Sequence, residues 1–331
     1  MKKFFIYITV IISLIFLIPV LFTVQFKSLE TINYEKIAEP LDATKYTYKE
    51  YGKIKVLNAD TGIISEYDID EYLLGVVSAE MPASYDIEAL KAQAVVARTY
   101  TVYTIINNKN KHGDGVICTS SSCCQAWISK EDRLAKWDDS EKEQNWSKIE
   151  EAVNSTKGEV IKYNGQVIDA FFHSNSGGKT EIPANVWGGM DYPYLQVVET
   201  SGEDGYLQYS SEVCITKNEF ESKMKNKYKD FSIDWNVAEP IKIVEHTDSG
   251  RIKTIKIGNK NLSGVEVRSI FELKSANFTC NIEDNKVKFS VKGYGHGVGL
   301  SQTGADSMAK NGANYNEIIK HFYTNVEIVS M

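Results

Sequence analysis

The chain has 331 residues, 43% of them hydrophobic and 24% charged, with 22 Gly, 6 Pro and 5 Cys. That balance excludes a collagen-like, low-complexity or disordered chain, and five cysteines are too few for a scaffold built on disulfides. The formal net charge of −7 argues against a nucleic-acid partner held through its phosphates, which needs a basic face.

The length allows two domains, or one large domain with an insertion. Phe4 to Val24 carry no charged side chain, a run of about 21 residues, enough to cross a hydrocarbon core as a helix. Lys2 and Lys3 precede it and Lys27 follows, which predicts a cytoplasmic N-terminus and an extracytoplasmic remainder. A cleaved signal peptide is the alternative. The run exceeds the usual apolar region of such peptides and no A-x-A pattern follows, which favours a retained anchor. Residues 1–26 thus read as a cytoplasmic tip and single-pass anchor in the cell membrane, and residues 27–50 as a polar tether. Residues 51–331 read as the external catalytic domain.

Residues 53–67 alternate like a hairpin, with its turn near Asp60-Thr61-Gly62. Residues 69–106 read as helical. Asp68 is placed to cap that stretch. Ile69, Tyr72, Leu73, Val76 and Val77 then form one apolar face. Glu80 continues that face just before Pro82. A carboxyl on an apolar face has its pKa raised, as a general acid working near neutral pH requires. Alternatively Glu80 turns to solvent at a fraying helix end. Further on, Lys91 and Arg98 share a helical face among Ala89, Ala92, Ala94 and Ala97. Two aligned cations can orient a carboxylate or a substrate, or simply form a solvated stripe.

His112, Cys118, Cys123 and Cys124 lie within one Gly/Ser-rich loop, open to metal binding or to a disulfide in an external compartment. Residues 146–157 predict a helix ended by Gly158, and Asn164-Gly165 a type I′ hairpin turn. The stretch after it, His173-Ser174-Asn175-Ser176-Gly177-Gly178 with Lys179 and Glu181, is polar and flexible. Such a segment at a strand end can line a cleft and donate hydrogen bonds to a ligand. Residues 205–290 are strand-rich, with a short helix near 217–227, and suggest a smaller β-rich subdomain inserted in the main fold. GYGHGVGLSQTGA (293–305) follows. Its glycines do not meet the dinucleotide fingerprint, and no nucleotide or organic cofactor is expected. Ser301 and Gln302 lead into a helix. Asn314 with Glu317 makes a capping-box start for a last helix. The fold class is α+β: an N-terminal transmembrane helix, then a mixed catalytic domain with the inserted subdomain.

Three stretches carry a family resemblance: EYLLGVVSAEMPASYDIEALKAQAVVARTY (71–100), FFHSNSGGKTE (171–181) and GYGHGVGLSQTGA. In this order and spacing they resemble the stage II sporulation protein D family of peptidoglycan lytic transglycosylases, over roughly residues 50–331. The resemblance implies cleavage of glycan strands stripped of stem peptides, during engulfment in sporulation. It implies a peptidoglycan amidase and a membrane scaffold protein of the engulfment machinery as partners. It makes Glu80 the catalytic acid and base and matches Lys91 and Arg98 to the family's Lys and Arg. Tyr294, His296, Ser301 and Gln302 become cleft residues beside His173, Ser174 and Lys179. It also implies zinc on His112, Cys118 and Cys124, leaving Cys123 spare.

One carboxyl suffices for that reaction, because the C6 hydroxyl of N-acetylmuramic acid is its own nucleophile. A water-using muramidase needs a second acid, for which Asp86, Glu88 and Glu181 are the candidates. A non-catalytic glycan-binding amidase enhancer is the other alternative. With an acidic chain, sugar binding falls to cleft shape and stacking on Trp187, Tyr192 or Tyr194.

Overall fold

A computed structural model of the chain describes residues 52–107, 111–113, 116–189 and 192–331. All of them lie in one compact unit, Tyr46–Met331. One helix, Ile87–Asn107, runs through its centre. Ala89, Ala92, Ala94 and Ala97 are fully buried on it. Their small side chains let the helices Ile69–Glu80, Lys142–Ser155, Gln302–Lys310 and Tyr315–Phe322 pack against it, together with the strand Glu159–Tyr163. The stretch expected to be helical over 69–106 is thus two helices. Pro82 falls in the break, since its ring and missing N–H disfavour a helix interior.

The expected membrane anchor is corrected. Among the described residues no helix is long and apolar enough to cross a membrane. The central helix has the length, at 21 residues, but it carries Glu88, Lys91 and Arg98 and packs inside the protein. Over the described residues the fold class is therefore α+β with no membrane-spanning helix, and a single-pass place in the cell membrane is not supported by them. Residues 4–24, on which that expectation rested, lie outside the described residues.

Three small sheets frame the central helix. Lys53–Leu57 pairs antiparallel with Ile64–Asp68 and parallel with Val116–Cys118. Glu159–Tyr163 pairs with Gln166–Val167 and Glu327–Ser330. The Asn164-Gly165 turn has φ of 49° and 76°, the two positive values a type I′ turn requires. Phe172–His173 pairs parallel with Leu300–Ser301, which brings the His173 and His296 segments together across more than a hundred residues.

A second core lies within residues 213–291. Two antiparallel sheets, Ser210–Thr216 with Phe278–Glu283 and Lys286–Lys292, and Ile241–His246 with Ile252–Ile257 and Lys260–Leu262, enclose it. Phe220, Phe271 and Phe289 pack there ring to ring, Phe220 and Phe271 stacked at 4.6 Å between centroids. The helix Lys217–Lys227 falls where it was expected. A second one, Gly264–Phe271, starts from a Ser263/Glu266 capping box that the strand-rich composition hid.

Candidate active site

A cavity of about 920 Å³ opens between the end of the Ile69–Glu80 helix, the cysteine loop and the two His/Gly loops. Glu80, the last residue of that helix, lines it. The helix buries Ile69, Tyr72, Leu73, Val76 and Val77 on the predicted face, so position 80 comes out at the rim of the core rather than in open solvent. Its Oε1 accepts a hydrogen bond from the Ala126 N–H at 2.7 Å, and Oε2 accepts from Gln302 Nε2 at 3.3 Å. Burial raises its pKa above the ordinary carboxylate value, and those two hydrogen bonds oppose the shift only in part. Glu80 makes no ion pair among the described residues, so no nearby cation holds it ionised.

The Ala126 donor is delivered by the cysteine loop crossing over Gly75. A Cβ at Gly75 would lie 2.2 Å from Trp127 Nε1, and the Ile128 N–H bonds the Gly75 carbonyl at 3.3 Å. Only glycine permits that approach. Upstream in the loop, a turn on the Ser120 carbonyl, bonded by the N–H groups of both Cys123 and Cys124, turns both thiols the same way. His112, Cys118, Cys123 and Cys124 present ligand atoms within 4.8 Å of one another. Cys123 Sγ is 3.2 Å and Cys124 Sγ 3.7 Å from His112 Nε2. Tetrahedral zinc with Zn–S near 2.3 Å sets neighbouring sulfurs about 3.8 Å apart, so this donor set fits the ion. Cys123 belongs to the cluster, in contrast to the spare role expected for it. All five cysteines are free in the structure.

The opposite wall carries His173, Ser174, Tyr294, Gly295 and His296. A Cβ at Gly295 would come 2.8 Å from His173 Cβ, so glycine lets the two loops touch. His173 is buried. Its Nδ1 bonds the Val298 carbonyl at 3.1 Å and so carries the proton, leaving Nε2 as an acceptor with no partner among the described residues. Burial, and then the Arg251 charge, lower its pKa to about 3. His296 accepts from the Val298 N–H on Nδ1 at 3.0 Å. Burial, followed by His173, Arg268 and Arg251, holds its pKa well below the ordinary imidazole value. Both rings are therefore neutral at physiological pH and serve as hydrogen-bonding groups rather than charges. Trp187, half exposed, packs 5.1 Å from His296 and 4.7 Å from Phe171, offering a sugar-stacking face on the cavity. Tyr194 is buried, with its hydroxyl accepting from the Asp169 N–H.

The remaining expected residues lie off the cavity. Arg98 is fully buried. It donates to the carbonyls of Thr156, Glu159 and Val153 and pairs with Asp70 at 3.3 Å, tying two helices and a strand together. Lys91 pairs with Glu88 at 2.7 Å and Lys179 with Glu199 at 3.3 Å. Ser301 caps the Gln302–Lys310 helix and bonds buried Glu203. Of the second acids considered, Glu88 is held by Lys91, Asp86 caps the central helix through the Glu88 N–H, and Glu181 is buried among Asn185, Thr247 and Ser249.

Sequence reasoning missed two cavity residues of consequence, Asp169 and Arg268. Asp169 lines the same cavity as Glu80. Its Oδ1 is buried with no partner among the described residues, and burial pushes its carboxyl up to about 7, with Lys111 opposing. Arg268 reaches the cavity from the helix Gly264–Phe271. A polar residue inside the apolar stretch VIDAFF was the available signal for Asp169; nothing local marked Arg268.

A family profile described as stage II sporulation protein matches residues 58–163, the segment holding Glu80 and the cysteine loop. A second profile, described only as a domain of unknown function, matches residues 202–299. The chain is 32% identical to a stage II sporulation protein D from Bacillus subtilis (strain 168), over 99% of this chain and 96% of that one. It is 31% identical to a protein of the same name from Bacillus amyloliquefaciens, over 91% of this chain and 84% of that one. It is also 30% identical to an amidase enhancer from Bacillus subtilis (strain 168), over 78% of this chain but only 40% of that one.

Proposed function

The chain belongs to the stage II sporulation protein D family, and from that premise we propose that it cuts peptidoglycan glycan strands during sporulation as a lytic transglycosylase. The single observation that carries this reading is Glu80: one carboxyl at a helix end on the cavity, raised in pKa by burial, bonded by two neutral donors and no cation. It is protonated in the pH range where an ordinary carboxyl is not, as a general acid must be.

Glu80 donates its proton to the glycosidic oxygen between C1 of N-acetylmuramic acid and O4 of N-acetylglucosamine. The C1–O bond breaks, and N-acetylglucosamine leaves with a new hydroxyl. The C6 hydroxyl oxygen of the same muramic residue bonds to C1, and the Glu80 carboxylate takes the proton that hydroxyl loses. Glu80 ends as it began, no water is consumed, and the product carries a 1,6-anhydro end. Because the nucleophile is held on the same sugar, its proximity supplies part of the rate. The Ala126 N–H and Gln302 steady the carboxylate between the two proton transfers.

His112, Cys118, Cys123 and Cys124 are the residues proposed to hold zinc. Held by these four protein donors, the ion would supply a structural clamp of the kind closed sites give. These residues would then brace the loop from which Ala126 reaches Glu80. An amidase that strips stem peptides is the proposed supplier of the substrate.

Asp169 favours a second reading, a water-using muramidase, because it adds another carboxyl to the cavity. The likeness to the amidase enhancer favours a third, in which the cavity only binds glycan. Glu80→Gln tests the first of the three. It is expected to lower release of anhydro products from peptide-free strands by at least about 100-fold while strand binding persists. Unchanged release from that variant removes Glu80 from the mechanism.

A further inference from the structure

The cavity wall opposite Glu80 is completed by the second core, through Val265 and Arg268 of the helix Gly264–Phe271. The other arginines near the cavity's support are committed within the protein. Arg98 is paired with Asp70, and Arg251 donates to the carbonyls of Lys179 and Ser176 and to Ser249. Arg268 is different. Its Nε makes one long bond, 3.4 Å to the Leu273 carbonyl. Among the described residues its guanidinium meets no carboxylate within ion-pair distance and its terminal nitrogens donate to no protein acceptor. A half-buried guanidinium facing a cavity with no anionic partner is placed to receive a ligand anion, which would complete its terminal donors. Burial accordingly lowers the Arg268 pKa, and the two cavity carboxyls, Glu80 and Asp169, are both raised toward their neutral forms and offer little compensating charge.

We infer that Arg268 is the specificity-determining anchor for a substrate carboxylate, the free lactyl carboxylate of a peptide-free N-acetylmuramic acid residue. This rests on the proposed glycan substrate and deepens it. In a strand that keeps its stem peptides that carboxyl is an amide and carries no charge. After peptide removal it is an anion whose planar pair of oxygens matches the guanidinium fork. The second core thereby makes removal of the peptide a condition of good binding.

The test uses the full chain and two probes: peptide-free glycan strands, and the same strands with the lactyl carboxyl converted to its methylamide. The unaltered chain is expected to favour the carboxylate strands in kcat/KM. Arg268→Gln is expected to lower kcat/KM on carboxylate strands by about 10- to 100-fold more than on amidated strands, chiefly through KM. Arg268→Lys, which keeps the charge but loses the fork, is expected to retain part of the preference. Binding of both probes is measured in parallel in a Glu80→Gln background. If neither strand is cleaved yet Arg268→Gln abolishes the binding preference, the anchor stands and the transglycosylase reading falls. Equal losses on both probes, or a preference that survives Arg268→Gln in a variant that melts like the unaltered chain, overturns the anchor.

Discussion

The two walls of the cavity each bury a glutamate, and their surroundings drive the two in opposite directions. At the end of the Ile69–Glu80 helix, Glu80 receives two hydrogen bonds, and burial wins. Behind the His/Gly loops, Glu203 is almost wholly buried. There, burial alone would raise its pKa. Hydrogen bonds from Ser176, Ser301 and Thr200, together with the N–H of Gly178 and the Thr303 hydroxyl, outweigh it and hold the carboxyl below its ordinary range. The number of donors, more than depth, separates a carboxyl that can carry a proton from one that is a charged strut.

Removing the strut is expected to have the largest effect on stability. Glu203→Ala orphans several buried donors at once, and a loss of about 3 kcal/mol follows, measured by denaturant unfolding. Because the folded pKa of Glu203 is depressed, its contribution is present above the unfolded carboxylate value and lost as pH falls through the folded one. A variant as stable as the unaltered chain at neutral pH would show that the network holds without its acceptor.

The comparison also marks how much was legible from sequence. The Glu80 helix was, because five apolar residues at helical spacing announce one buried face and the carboxyl extends it. The hairpin at Asn164-Gly165 and the capping box at Asn314 were too, since both signals are local. Arg98 was not. Its helical neighbours suggested a stripe of cations facing substrate, but its partners come from Asp70 and from carbonyls more than fifty residues on. Cys123 was set aside because the family resemblance matches His112, Cys118 and Cys124; the Ser120 turn that gathers both adjacent thiols has no sequence mark. Asp169 and Arg268 reach the cavity only through tertiary packing, and Arg268 does so from a helix inside a strand-rich stretch.

A smaller effect is expected at the cysteine cluster, which ties down one loop. Metal analysis of protein purified without added metal is expected to find about one zinc per chain, and chelation is expected to lower the melting temperature. Cys123→Ser should weaken zinc retention. Full zinc retention and an unchanged melting point in that variant would return Cys123 to the spare role.

An effect of opposite sign is expected at Asp169, and it sharpens the contrast between carboxyls. Its folded pKa is raised to about 7, so its favourable contribution is full below the unfolded value and lost as pH rises toward 7. Asp169→Asn removes that loss, and its stability relative to the unaltered chain should increase between pH values of about 4 and 7 and level off above. A flat difference would mean that Asp169 ionises freely. A variant that loses the proposed glycan cleavage would give Asp169 a role in the chemistry.

The central claim is that Glu80 alone moves the proton out and back while the muramic sugar closes on itself. Cleavage of peptide-free strands in water enriched in heavy oxygen, followed by mass spectrometry of the released sugars, tests it most directly. The account predicts 1,6-anhydro ends with no heavy oxygen incorporated. Reducing muramic ends carrying the label at C1 would contradict it.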